Sequence, residues 1–325
     1  MAIDPKVLAE LVKGLQAAAA AAPAEEDWAI DDEPMEITVG AEVSLGDYQA
    51  MITQPDDDVS EMKTLMAVPT GTILDELFLL NDGTPLYGLP AGANLALTGL
   101  AGSGKSVLST EAVIRTAARG VPTLYVTSED VYKGSTHRLD LQSRMMKKAE
   151  VLGLDWEAIK DNLIIMDAVA NRDLRDWKTF SETYKYACES RGIQFVIIDS
   201  VTMLEDKRNS LKFRVMEISR YNQVKGITCI LVNQRTSDKD WDSYAMAGGH
   251  GIAHAVDGTI IVDKGRTYQS DQVNELGKRG TSVRMIRVMD CRMSNFDMSR
   301  HRVMISDDGF LRMDLSPLPV PVKKK

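Results

Sequence analysis

The run Gly99-Leu100-Ala101-Gly102-Ser103-Gly104-Lys105-Ser106 constrains this chain more than any other feature. It follows an apolar stretch, Ala93–Thr98, and precedes an amphipathic one that carries Val107, Leu108, Ala112 and Val113. A strand, a glycine-rich turn and a helix in that order bring backbone N–H groups and the positive end of a helix dipole to one point, where a polyphosphate binds. Gly99, Gly102 and Gly104 let the backbone curl, with Ser103 inside the turn. Lys105 is expected to bridge the β- and γ-phosphates of ATP, and the Ser106 hydroxyl to ligate Mg2+.

From about residue 68 onward, short apolar runs alternate with amphipathic stretches, the pattern of an α/β fold with a mostly parallel, twisted sheet flanked by helices. Strands are predicted near Asn94–Thr98, Thr123–Thr127, Leu163–Met166, Phe195–Asp199, Cys229–Val232 and Thr259–Val262. The intervening helices are expected over Lys105–Arg119, His137–Leu152, Leu174–Arg191 and Ser210–Lys225. Val283–Val288 and Arg302–Ile305 read as antiparallel additions at the C-terminal end, with Asp307-Asp308-Gly309 as a turn before Phe310-Leu311.

Ahead of this core, residues 1–67 hold 15 acidic and 3 basic side chains. A short helix is expected from Pro5 to Ala22, followed by an acidic linker, so the domain reading is an N-terminal arm (1–67), an ATPase core (68–316) and a loose basic tail (317–325). The net charge of −9 therefore belongs to the arm rather than to the core. Cys188, Cys229 and Cys291 form no CxxC pair, which argues against a zinc site or a disulfide framework. With no basic start leading into an apolar run, and no long uncharged stretch, a cytoplasmic protein with no membrane passage is expected.

Three further strand ends carry chemistry. Phe195-Val196-Ile197-Ile198-Asp199 is an apolar run ending in a carboxylate, so Asp199 is expected to share the Mg2+ with Ser106 at the carboxyl edge of the sheet. Glu129, just past Thr123–Thr127, is the candidate general base for the attacking water, with Asp130 as its rival. Gln234, ending the next strand, offers a neutral amide that can hydrogen-bond the γ-phosphate and report its presence. His250 and His254 stand four apart, a metal-ligand spacing without an evident third ligand.

The order of these pieces resembles the RecA-like recombinase and KaiC superfamily over about residues 70–313. Thr70-Gly71-Thr72-Ile73-Leu74-Asp75, then Gly88-Leu89-Pro90-Ala91-Gly92, looks like that family's approach to the phosphate loop. Asp199-Ser200 and Asn233-Gln234-Arg235 are similar to its Walker B pair and sensor strand. Gly248-Gly249-His250-Gly251-Ile252-Ala253-His254 looks like the segment closing the second DNA-binding loop of archaeal RadA-type recombinases. The resemblance implies a DNA recombination and repair ATPase that assembles as a filament or ring on single-stranded DNA. It also implies two DNA-gripping loops, Glu205–Phe213 with Lys207, Arg208, Lys212 and Arg214, and Thr236–Gly249 with Arg235 before it and Lys239, Trp241 and Tyr244 within it. The alternatives are a KaiC-like regulatory ATPase acting on protein partners, or a hexameric replicative helicase. In the KaiC branch a Lys-x-Arg pair reaches the neighbour's nucleotide. Here Asp290 stands where the lysine is expected, which leaves Arg292 as the residue acting in trans.

Overall fold

Buried parallel strands must be apolar on both faces, and the runs that satisfy this form the centre of the molecule. The computed structural model describes residues 64–134, 137, 139–204, 211–235, 250–277 and 279–316. Residues 1–63 of the arm, the tail and most of the two expected DNA loops lie outside them.

Among the described residues, the main sheet has nine strands. In chain order they are β1 (Asn94–Gly99), β2 (Thr123–Thr127), β3 (Leu163–Asp167), β4 (Phe195–Asp199), β5 (Thr228–Gln234), β6 (Gly258–Arg266), β7 (Ser282–Cys291), β8 (His301–Ile305) and β9 (Leu311–Met313). Their order across the sheet is β9-β8-β7-β6-β1-β5-β4-β2-β3. Strands β1 to β6 pair in parallel, while β7, β8 and β9 add on antiparallel beside β6. The architecture is therefore the expected α/β one. The strand bounds agree with the sequence reading to within a few residues, and β6 and β7 each run longer than expected.

Helices α1 (Lys105–Ala118), α2 (Leu141–Val151), α3 (Trp156–Asn162), α4 (Trp177–Arg191) and α5 (Leu211–Lys225) cover the sheet, followed by the short α6 (His250–Ala253) and α7 (Ser270–Leu276). One apolar cluster packs α1, α2 and α3 against one face; a second packs α4 and α5 against the other. Helix α2 begins later than expected because Asp140 caps it, accepting from the Ser143 amide at 2.8 Å. The sequence reading did not include α3, whose seven residues bury only Ile159, nor α7.

Helix α1 begins at the glycine turn, and the fold holds it from several sides. Leu108, Ala112, Val113, Ile114 and Ala117 are fully buried, so replacing Leu108 by Ala would cost about 2–5 kcal/mol. Glu111, also fully buried, accepts from Arg312 at 2.8 and 2.9 Å and from Arg115 at 2.9 Å. Those bonds tie the β8–β9 hairpin to α1. Leu311 of that hairpin lies 3.1 Å from where a Cβ on Gly104 would stand. No helix among the described residues is long and apolar enough to cross a membrane.

Candidate nucleotide site

The turn leaving β1 is shaped by its glycines. A Cβ on Gly99 would meet the Val262 carbonyl oxygen of β6 at 1.8 Å, so only glycine lets the two strands approach. Gly102 (φ 70°) and Gly104 (φ 118°) take the left-handed conformations that turn the chain into α1, with Gly104 as the N-cap. Lys105 is buried, and its Nζ donates to the carbonyls of Gly99 at 2.8 Å and Leu100 at 3.0 Å. Burial lowers its ammonium pKa, and the nearby carboxylates of Asp199, Asp263 and Glu129 oppose that shift.

Asp199 ends β4, two strands from β1 in the sheet, with β5 between them. Register brings them level: Asp199 pairs with Val232, and Val232 pairs with Leu97. The Asp199 carboxylate accepts from the Tyr125 hydroxyl at 2.9 Å, and the Ser106 side chain lies beside it, near enough to lower its pKa. Burial raises its pKa, and these two donors pull it back. A carboxylate and a hydroxyl, both oxygen donors, thus meet below the glycine turn, a donor set that fits a hard divalent cation such as Mg2+.

Glu129 and Asp130, alternatives in the sequence, are separated by their partners. Glu129 is exposed, and its Oε1 accepts from Ser200 Oγ at 3.1 Å and from Gln234 Nε2 at 3.0 Å. Asp130 turns instead to Arg144 on α2, at 2.5 Å. A cavity of about 220 Å³ lies at the glycine turn and is lined by Gly102, Gly104, Lys105, Ser106, Glu129, Asp199, Ser200 and Gln234. Asp130 and Arg144 line a second cavity of about 200 Å³ between α1 and α2, which shares Ser106, Glu129 and Asp199 with the first. Lys105, Ser106, Glu129, Asp199 and Gln234 therefore converge from three strand ends and a helix start.

Two of the expected DNA contacts are found elsewhere. Arg235 follows β5 into the interior: it pairs with Asp263 of β6, and neither side chain has any exposed surface. Asp263 also accepts from the Leu100 amide at 3.2 Å, inside the glycine turn, so the pair braces that turn. Arg214 is buried on α5, donates to the Leu204 carbonyl and stacks over Trp177 at 5.4 Å. Neither guanidinium is a solvated loop cation. Lys212 and Phe213 belong to α5 rather than to a loop, with Lys212 half-buried and Phe213 exposed. Lys207, Arg208, Lys239, Trp241 and Tyr244 lie outside the described residues.

Helix α6 ends before His254, which is exposed, and among the described residues no group of three or more His, Cys, Asp or Glu side chains is placed to hold a metal. Arg292 is exposed and follows β7 at the edge of the sheet opposite the glycine turn, since Cys291 pairs with Gly258 and Gly258 with Leu95, near the start of β1. Sequence reasoning missed Tyr125 and Asp263, and named Ser200 only as the neighbour of Asp199 without giving it a role. The signals were there: a phenol and an acid inside otherwise apolar runs, and a hydroxyl directly after Asp199.

Comparison with known proteins bears on the branch. A UPF0273 protein of Methanopyrus kandleri is 28% identical over 73% of this chain and 89% of its own length. A UPF0273 protein of Thermotoga maritima is 24% identical over 69% of this chain and 88% of its own. The crystal structure of a KaiC-like protein from the hyperthermophilic archaeon Pyrococcus horikoshii superposes with a TM-score of 0.54 at 18% identity, covering 77% of this chain and 100% of that one, a likeness of fold. The expected RecA-like core stands; the branch matched is KaiC rather than RadA. The family model described as "ATPase: KaiC" matches residues 68–312, and the chain belongs to that family.

Proposed function

We propose that this protein binds ATP at the Gly99–Ser106 turn and hydrolyses it, with Glu129 as general base. One observation carries the reading: Glu129, held by Ser200 and Gln234, opens onto the same cavity as Lys105, Ser106 and Asp199. Lys105 and the amides of the turn hold the phosphates. Ser106 and Asp199 would hold Mg2+, which when bound neutralises charge on the β- and γ-phosphates. Glu129 accepts the proton of the attacking water, and its tie to Gln234 links the γ-phosphate position to the end of β5. Glu129→Gln is expected to keep nucleotide affinity and lose turnover about 10²–10⁴-fold, whereas Lys105→Ala loses both. Wild-type turnover in Glu129→Gln refutes the assignment.

The Gly248–His254 run, similar to a recombinase segment, favours single-stranded DNA as the polymer acted on, by copies assembled head to tail with Arg292 serving a neighbour's nucleotide. Arg292's position far from its own chain's turn is consistent with that division of labour. With Arg214 and Arg235 committed to the interior, this reading rests on the remaining loop residues. A gel shift with single-stranded DNA in ATP and in ADP tests it, because phosphate contacts weaken steeply with salt. A chain that shifts no DNA at low salt favours a protein partner instead.

A further inference from the structure

Tyr125 is a tyrosine where packing alone needs only a phenylalanine. It sits inside β2, in the run Thr123–Thr127, every residue of which is buried, and a buried hydroxyl costs free energy unless it is bonded. Its hydroxyl is bonded to Asp199 Oδ2, at 2.9 Å.

Strand register explains how the two meet. Across β2 and β4, Thr127 pairs with Asp199. Tyr125 stands two residues before Thr127, hence on the same face of the sheet. The offset to Asp199 is roughly 6.6 Å of strand rise, a length that a tyrosine side chain spans and that serine or threonine does not. The phenol thus approaches Asp199 along the strand from below, while Ser106, at the start of α1, lines the same cavity as that carboxylate.

We propose that Tyr125 is a positioning residue for the metal site: by holding Asp199 Oδ2, it fixes the carboxylate's rotation so that Asp199 and Ser106 are presented together to the divalent cation. This rests on the reading of Ser106 and Asp199 as the metal-holding pair. Outer-shell partners that orient a ligand are typically worth 10–100-fold in metal affinity. Phenylalanine at 125 keeps the ring, its packing and its place in the strand, and removes only the bond to Asp199. The bonds of Lys105 within the glycine turn do not involve Tyr125 and stay as they are.

The test is Mn2+ binding in the presence of ADP, followed by electron paramagnetic resonance, beside binding of a fluorescent ADP in EDTA. Tyr125→Phe is expected to weaken Mn2+ by about tenfold or more and to leave metal-free ADP affinity unchanged. A general packing defect would weaken both, and that result overturns the proposal. So does Mn2+ affinity within about twofold of wild type in Tyr125→Phe while Asp199→Asn binds Mn2+ weakly. Should Asp199→Asn bind Mn2+ like wild type, the metal reading of that pair fails and the role of Tyr125 fails with it.

Discussion

Arg235→Ala separates a structural cation from a DNA-binding one. In the structure the Arg235–Asp263 pair has no exposed side-chain surface, and removing one partner of a buried pair typically costs about 3–5 kcal/mol because the other charge is left uncompensated. Asp263 keeps the Leu100 and Lys264 amides as donors, which limits the loss without neutralising the carboxylate. For a unit the size of Lys63–Lys325, where each kcal/mol shifts the midpoint by about 2–4 °C, the melting temperature should fall by about 6–20 °C. High salt should alter the fall little, since buried pairs are weakly screened. Replacing both partners by apolar residues, Arg235→Met with Asp263→Leu, should recover much of it. Nucleotide affinity should drop in the single variant, because Asp263 anchors the Leu100 amide within the phosphate turn. Thermal unfolding followed by circular dichroism reads the first effect, and titration with fluorescent ADP the second. A variant that melts within about 2 °C of wild type and instead loses one unit of salt slope in DNA binding would refute the structural assignment.

Two other outcomes follow from ionisable groups away from the nucleotide. The bond from Ser143, with its amide and that of Gly134, holds the Asp140 carboxyl down at about 2 against an ordinary 3.8. A depressed acid stabilises the fold above its unfolded value and loses that contribution as pH falls towards the folded one. The stability gap between wild type and Asp140→Asn, which keeps an N-cap, should therefore shrink as pH drops from 3.8 to about 2; urea unfolding at several pH values checks it, and a gap constant across that window contradicts it. Burial pushes the Cys188 thiol up to about 12 and raises Cys229 as well, whereas Cys291 is half-buried beside Ser294. Near neutral pH the Cys188 thiolate fraction is on the order of 10⁻⁴ or below, so a charged thiol reagent should modify native protein at Cys291 first and reach all three only after unfolding, as mass spectrometry of labelled peptides would show.

The parallel strands were legible because burial on both faces leaves few polar residues inside them: β2 and β4 run over the predicted residues, and β1, β3 and β5 extend them by a few. The elements missed are those that bury little. Helix α3 contributes Ile159 and otherwise presents polar residues, and seven residues are too few for a helical period to stand out. Helix α7 likewise buries only Gln272 and Leu276. The cap at Asp140 was readable, since an aspartate directly before Leu141 is a helix-start signal; the apolar pattern through Leu139 obscured it.

The site divides along the same physical line. Lys105, Ser106 and Asp199 could be named from sequence because each sits at a strand or helix end whose direction the hydrophobic pattern determines. Arg235 could not, since its neighbour Gln234 faces the cavity, and a side chain one residue further along a strand points to the opposite face. Which face is interior depends on what packs there, and that is set by Asp263, whose strand lies two places away across the sheet, beyond β1. A charged residue directly after a buried strand therefore has two available fates, solvent or a buried partner of opposite sign. The lone acid closing the apolar stretch Thr259–Val262 is the one mark in the sequence that favours the second.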